Sequence, residues 1–164
     1  MPRWMVIPDF PNYVVSEEGV VENVVSGHVM ALNMNQYDVV FVGLWDGGLQ
    51  FKRSLPKLVA TAFVPKPYPL YNTPINVDGD RWNNHAYNLL WRPRWFAVKY
   101  NRQFRSAYPN HIPYPIIDTN TGQISKDSLD CARTFGLLEA DLVQAIENRT
   151  YVWPTYQVFQ VLRH

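Results

Sequence analysis

The residues with chemical potential crowd into one stretch, Pro74 to Trp91, which reads PINVDGDRWNNHAYNLLW. It holds two carboxylates, Asp78 and Asp80, one imidazole, His85, and four amides, Asn76, Asn83, Asn84 and Asn88. Carboxylates and imidazoles can carry a proton or hold a cation. An amide cannot take a proton near neutral pH and only donates and accepts hydrogen bonds. Asp78 and Asp80 flank Gly79, so a turn role is expected for them, each accepting bonds from nearby backbone. His85 reads as a surface or capping histidine rather than a base. His28, His111 and His164 lie in separate segments and suggest no cluster.

A second chemistry follows directly. Arg92, Arg94, Lys99, Arg102 and Arg105 fall in a segment without an acidic residue, and Trp95, Phe96, Tyr100 and Phe104 interleave with them. Cations can contact phosphates, and aromatic rings can stack on bases. Phe96, Tyr100 and Phe104 are spaced by four, which gives one aromatic face of a helix. A helix packed through that face, with solvated cations, accounts for the same pattern.

The rest of the chain is not basic. The 164 residues carry 15 Lys and Arg against 14 Asp and Glu, a formal charge of +1. Residues 1–70 have five cations against six acids, and residues 111–164 have four against six. Only 71–110, with six against two, is positive. Affinity for nucleic acid rests largely on phosphate neutralisation, so two of three parts are poorly suited to it. Aromatic residues make up 15% of the chain, which suits either a core or an interface. The single cysteine, Cys131, excludes an internal disulfide and a multi-cysteine zinc site. No signal peptide is read at the N-terminus, and no apolar run is long enough to span a membrane.

The elements that position these residues can be read in outline. Tyr13 to Ser16 and Val20 to Val25 flank Glu17-Glu18-Gly19 and predict a hairpin. Val39 to Trp45 and Leu49 to Lys52 predict a second one across Asp46-Gly47-Gly48. Pro56 suits the first turn of a helix running to Phe63, ended by Pro65. Residues 107–114, rich in proline, read as a linker. Beyond them Pro115 to Asp118 and Gln123-Ile124 form strands about a turn. Ser125 caps a predicted helix from Lys126 to Phe135, and Gly136 stops it. A second helix spans Glu139 to Glu147, and Tyr156 to Leu162 alternates as a closing strand. Two short helices about a glycine turn make a helix-turn-helix-like unit.

Taken in order, these fragments resemble the HNH homing endonucleases that phages encode within or beside introns. Phe10-Pro11-Asn12-Tyr13-Val14-Val15-Ser16 and Gly19-Val20-Val21 are similar to the module before the nuclease finger. Lys57 to Pro65 is similar to the helix leading into it. Asn76-Val77-Asp78-Gly79-Asp80, Asn83-Asn84 and Asn88-Leu89-Leu90-Trp91 follow the finger's frame. The resemblance implies an α+β chain with a degenerate ββα (HNH, His-Me finger) core, a β-rich N-terminal part and a small C-terminal αβ module. The expected division is 1–106, a linker at 107–114, and 115–164.

The resemblance also assigns positions. The general base, a histidine in the family, falls on Asn76. The acidic metal ligand falls on Ile75 and the downstream ligand on Asn88. A histidine usual at the preceding helix start falls on Pro56. Asn76 cannot accept the water's proton, and Ile75 offers no oxygen to a hard cation. Asn76, Ile75 and Asn88 are therefore expected to be vestigial, with no metal and no cofactor. Leu89 and Trp91 are expected to fill the finger's core, and Asn84 to brace its loop. The chain is then expected not to be an enzyme but a repurposed interaction or structural component, of a virion or its assembly. Its partner would be a phage structural protein or a host protein, in the host cytoplasm or the virion. The alternative is a DNA-binding protein without cleavage, using Arg92, Arg94, Lys99, Arg102 and Arg105. An active nicking endonuclease is the third reading.

Overall fold

The computed structural model describes residues 1–163. It is an α+β chain that divides into two compact units. The first comprises Met1–Asn76 and Asp80–Arg94; the second comprises Val77–Gly79 and the chain from Trp95 onward. The division falls at 94/95, and not in the proline-rich 107–114 segment.

In the first unit, β1 (Trp4–Ile7), β2 (Phe10–Ser16) and β3 (Val21–Asn23) form an antiparallel meander. The turn between β2 and β3 is tied by bonds from the Glu18 and Val20 N–H groups to Ser16 Oγ, at 3.2 and 3.1 Å. β4 (Leu32–Met34), β5 (Val40–Asp46) and β6 (Leu49–Ser54) form a second sheet. Both expected hairpins are present. β1 and β4 were not expected, because each is only three or four residues long and lacks a clear alternation of its own.

Ser54 ends β6 and caps α1 (Leu55–Phe63), with Pro56 in the first turn and Val64-Pro65 closing it. The alternating Val40, Val42 and Leu44 of β5 turn one face onto α1, where Leu55, Val59 and Ala60 are buried. Tyr13, Val15 and Val21 join the same core. β7 (Thr73–Asn76) and β8 (Leu89–Arg92) then pair, with Asn76 opposite Leu89 and Ile75 opposite Leu90. Leu89 and Trp91 bury their side chains in this core, and the Trp91 indole N–H donates to the Val64 carbonyl at 2.9 Å.

The second unit holds α2 (Arg94–Arg102) from its second residue on and continues to a sheet ordered β10 (Ile124–Ser125), β9 (Ile116–Asp118), β12 (Gln157–Val161), β11 (Tyr151–Val152). α3 (Ser128–Phe135) and α4 (Glu139–Glu147) cover it through Cys131, Ala132, Leu142 and Ala145. Gly136 ends α3 in the left-handed conformation, as expected. The start of α3 differs from expectation. Asp127 is the cap, its side chain accepting from the Asp130 N–H at 2.8 Å, while Ser125 ends β10. A capping residue must be extended and three residues before the N–H it satisfies, and both serine and aspartate meet that demand locally.

The 107–114 segment has no helix or strand, but it is tied down. The Ile112 N–H donates to Ser128 Oγ, and the Ser128 N–H returns a bond to the Ile112 carbonyl, at 2.9 and 3.0 Å. No helix among the described residues is long and apolar enough to cross a membrane.

Candidate functional site

β7 brings Ile75 and Asn76 to the end of the finger's first strand, and the loop from Asp80 to His85 returns to a short 3-10 turn, Ala86–Asn88, before β8. Ile75 is 0% exposed and Asn76 2%. Side chains alternate along a strand, yet both are buried, because this one is covered on both faces.

Four asparagines make a closed amide cluster there. The Asn76 amide donates to the Asn83 carbonyl at 2.9 Å and to Asn84 Oδ1 at 2.8 Å. Asn84 Nδ2 donates to the Arg81 carbonyl at 3.1 Å, and Asn88 Nδ2 to the Asn83 carbonyl at 2.8 Å. The Asn83 carbonyl thus receives two amides, one from each strand end. A buried polar group left unpaired costs about 1–3 kcal/mol, so this cluster specifies the loop's shape. The Asn84 brace expected from sequence is present, through Arg81. The loop is also held from the N-terminal meander. The Ala86 N–H donates to the Glu17 carbonyl at 2.7 Å. Gly19, at φ +83°, passes so close to the Asn84 carbonyl that a Cβ would lie 3.2 Å from its oxygen.

Both hydrogens of the Asn76 amide are committed, and the group does not titrate. Asn76 is therefore not a proton acceptor in any reaction at this site. Of the two expected metal-ligand positions, Ile75 supplies no donor, and Asn88 gives its amide nitrogen to the loop. Hard cations are held mainly by carboxylates. Among the described residues no group of three or more His, Cys, Asp or Glu is placed to hold a metal ion. Pro56 is buried in the first turn of α1. His85 is half-buried and caps the 3-10 turn, its Nδ1 accepting from the Tyr87 N–H at 3.4 Å.

The basic segment divides. Arg92 is 7% exposed, and its Nη1 donates to the Trp91 carbonyl at 3.0 Å, so it is part of the fold and not an open cation. Arg94, Lys99, Arg102 and Arg105 are exposed. Within α2, residues 94, 95, 98, 99 and 102 face solvent and 96, 97 and 100 are buried, the repeat of one helix face. Lys99 lies over the Trp95 ring at 5.6 Å, and Trp95 stacks on Trp153 at 5.4 Å. The expected aromatic face is real but inward: Phe96, Tyr100 and Phe104 form a run of ring contacts, 6.1 and then 5.2 Å between centroids. Tyr100 Oη donates to the Val77 carbonyl, and the Phe104 ring lies 3.0 Å from where a Cβ on Gly79 would sit. The turn at 77–79 therefore needs glycine for space as well as for its φ of +82°.

In the helix-turn-helix-like module, Glu139 is buried and does not face solvent as an acid at a reading helix would. Its Oε2 accepts from Ser128 Oγ at 2.6 Å and pairs with His111 Nδ1 at 2.7 Å. Gln103 Oε1 receives the Glu139 N–H at 2.8 Å, standing in for a missing side-chain cap on α4. Sequence reading missed this network, because its members, Gln103, His111, Ser128 and Glu139, lie in four separate segments.

No family profile matches the chain. It is 31% identical over 91 residues to an uncharacterised HNH endonuclease of Acanthamoeba polyphaga mimivirus, a match that takes in 56% of this chain and 23% of that protein. The chain thus spans under a quarter of the length of that relative. Among solved structures it matches one described as "DNA binding and cleavage by the HNH homing endonuclease I-HmuI". There the TM-score is 0.55 at 20% identity, covering 99% of both chains. At that identity the likeness shows the fold. In sequence the chain is similar to an HNH endonuclease over 91 residues, and in fold it is like an HNH homing endonuclease. These matches overturn the expectation that it is not an enzyme. The relative is named an endonuclease, the structure is of a DNA-cleaving one, and Ile75 and Asn76 alone do not establish a lost site.

Proposed function

We propose that the chain acts on DNA, binding the backbone through the solvent face of α2 and cleaving phosphodiesters at the finger. The observation that carries this reading is the exposed face of α2, where Lys99 and Arg102 stand with Trp95 on a helix with no acid of its own, Asp141 of α4 being the acid that lies beside Lys99. Helix rise puts Arg94 and Arg102 roughly 12 Å apart along the axis, about three to four base-pair steps. The relative's name and the described activity of I-HmuI support the cleavage half. Cleavage needs a proton acceptor other than Asn76, and His85 is the imidazole the finger loop offers.

Two measurements test the proposal. Mobility shifts of a DNA duplex at about 50 and 200 mM salt should show binding that weakens steeply with salt. Supercoiled plasmid incubated with Mg²⁺ or Mn²⁺ should be nicked, with a loss of about 10²-fold or more in His85→Gln. Absence of a shift at the lower salt sinks the binding half. Intact plasmid at large protein excess sinks the cleavage half.

A second reading is favoured by a different observation. The β1 strand exposes Trp4, Met5 and Val6 side by side, an apolar surface of the kind that partners cover. On this reading the chain also docks another protein, in a virion or in the host. Pull-down of the intact chain with mass spectrometry tests it, and recovery of the chain without a stoichiometric companion counts against it.

A further inference from the structure

The strand β1 is the end strand of its sheet, with β2 on one side and no strand on the other among the described residues. The Glu17 N–H donates to the Arg3 carbonyl at 3.1 Å, which fixes the phase of the ladder. Bonded and outward-facing residues alternate in an antiparallel pair. Arg3 and Met5 therefore face β2, and the backbone groups of Trp4 and Val6 point to the open side. Their side chains offer no protection to that edge. Trp4 is 40% exposed, Met5 48% and Val6 57%, and Trp4–Ile7 contains neither a charge nor a proline. Edges are normally guarded by such residues.

At the end of the strand lies a cavity of about 280 Å³. Val6 and Ile7 form one wall, Phe10 and Leu58 the apolar interior, and Arg53 and Lys57 are its cations. Asp9 is the acid that also borders it. The Arg53 guanidinium is held in place before any ligand arrives. It lies 5.2 Å from the Phe10 ring centre and 5.4 Å from that of Phe51, and its Nη1 donates to the Lys52 carbonyl at 3.0 Å. A guanidinium stacked on rings keeps its other edge for a carboxylate at little further entropic cost.

We infer that β1 and this cavity together form a docking surface for an extended, acidic segment of another protein. The segment would add a fourth strand beside β1, pairing with the backbone of Trp4 and Val6. It would place an apolar side chain in the cavity and a carboxylate on Arg53 and Lys57. Strand addition takes affinity from main-chain bonds and specificity from side-chain pockets, and both are present. A second copy of the chain is the weaker occupant. β1 paired with β1 presents no acid between Trp4 and Ile7 to the two cations. The inference rests on the second reading above.

The test uses the intact chain and a fluorescent peptide, Glu-Val-Glu-Val-Glu-Leu, with lysine replacing glutamate in the control. Anisotropy should give a Kd on the order of 10–100 μM for the acidic peptide and at least ~10-fold weaker binding of the control. The variant Arg53→Glu with Lys57→Glu should invert that preference. Amide exchange of the unaltered chain should slow at Trp4 and Val6 when peptide is added. No binding to about 1 mM, equal binding of both peptides, or protection elsewhere overturns the inference. So does protection of Trp4 and Val6 that rises with protein concentration alone, which would mean a dimer. A natural partner that still binds the Arg53→Glu, Lys57→Glu variant would leave the second reading standing and remove this surface from it.

Discussion

The finger loop and the C-terminal module both bury polar groups, with opposite chemistry. In the loop the bonds run among neutral amides, from Asn76 and Asn88 to Asn83 and from Asn76 to Asn84. In the module they converge on a carboxylate, Glu139, which gathers Ser128 and His111. Amides lose little on leaving water if every donor is met, and their bonding does not change with pH. A buried carboxylate is costly to strand, but charge-assisted bonds are about twice as strong. The loop therefore gains a fixed shape, and the module gains a strong tie for its irregular strap.

The comparison can be broken at the carboxylate first. Glu139→Ala leaves Ser128 and His111 facing a void and should cost about 3 kcal/mol, near the low end for a severed buried pair because His111 keeps some solvent. Urea unfolding measures it, and Glu139→Gln should cost clearly less. An equal loss in both would mean that charge and not shape holds the strap.

Next comes the amide cluster. Asn76→Ala removes two donors and strands Asn84 Oδ1, for an expected loss of about 1–3 kcal/mol in the same experiment. A loss below 0.5 kcal/mol would show that the loop is held chiefly by Gly19 and Ala86 and not by its asparagines (about the noise level for a surface change).

Acid should separate the two regions further. Burial raises the Asp118 carboxyl, but bonds from the Asn120 N–H, the Gln157 amide and Thr121 outweigh it, and the net effect holds it below the ordinary aspartate value. A group depressed in the folded state stabilises fully above its unfolded pKa. That contribution is lost as pH falls through the folded one. Module amides near β9 and β12 should thus lose exchange protection as pH drops below about 4, and Asp118→Asn should flatten the response. The amide cluster has no titrating member, so bonds among Asn76, Asn83, Asn84 and Asn88 should hold over the same range.

The smallest effect concerns DNA. Arg102→Ala should lower the salt slope of binding by about 0.9, the value of one phosphate contact. Arg92→Ala should leave the slope unchanged and reduce stability instead, since Arg92 is buried. Equal slopes in both variants would remove α2 from the binding surface.

Much of this fold is legible in local sequence because turns, caps and periodic apolar faces are local physics. The hairpins around Gly19 and Asp46-Gly47-Gly48, the helix opened by Pro56 and the stop at Gly136 each rest on a few adjacent residues. The finger's frame is legible for the same reason, as Asn76, Gly79, Asn84 and Asn88 to Trp91 stand in one stretch. What local residues did not reveal is partnership across distance. β1 becomes a strand only because β2 lies beside it. Asp127 and Ser125 are both competent caps, and only the register of β10 assigns the role to Asp127. Arg92 has the composition of a surface cation, and the strand pairing of β8 buries it.

The sequence by itself determined the two main hairpins, the helices, the family likeness and the absence of an imidazole and a carboxylate at positions 76 and 75. Those follow from residue identity alone. Only the tertiary structure decided what Asn76 does, which cations reach solvent, and that Glu139 is sequestered. Each depends on which groups meet after the chain closes, and burial and hydrogen-bond partners are properties of that closure.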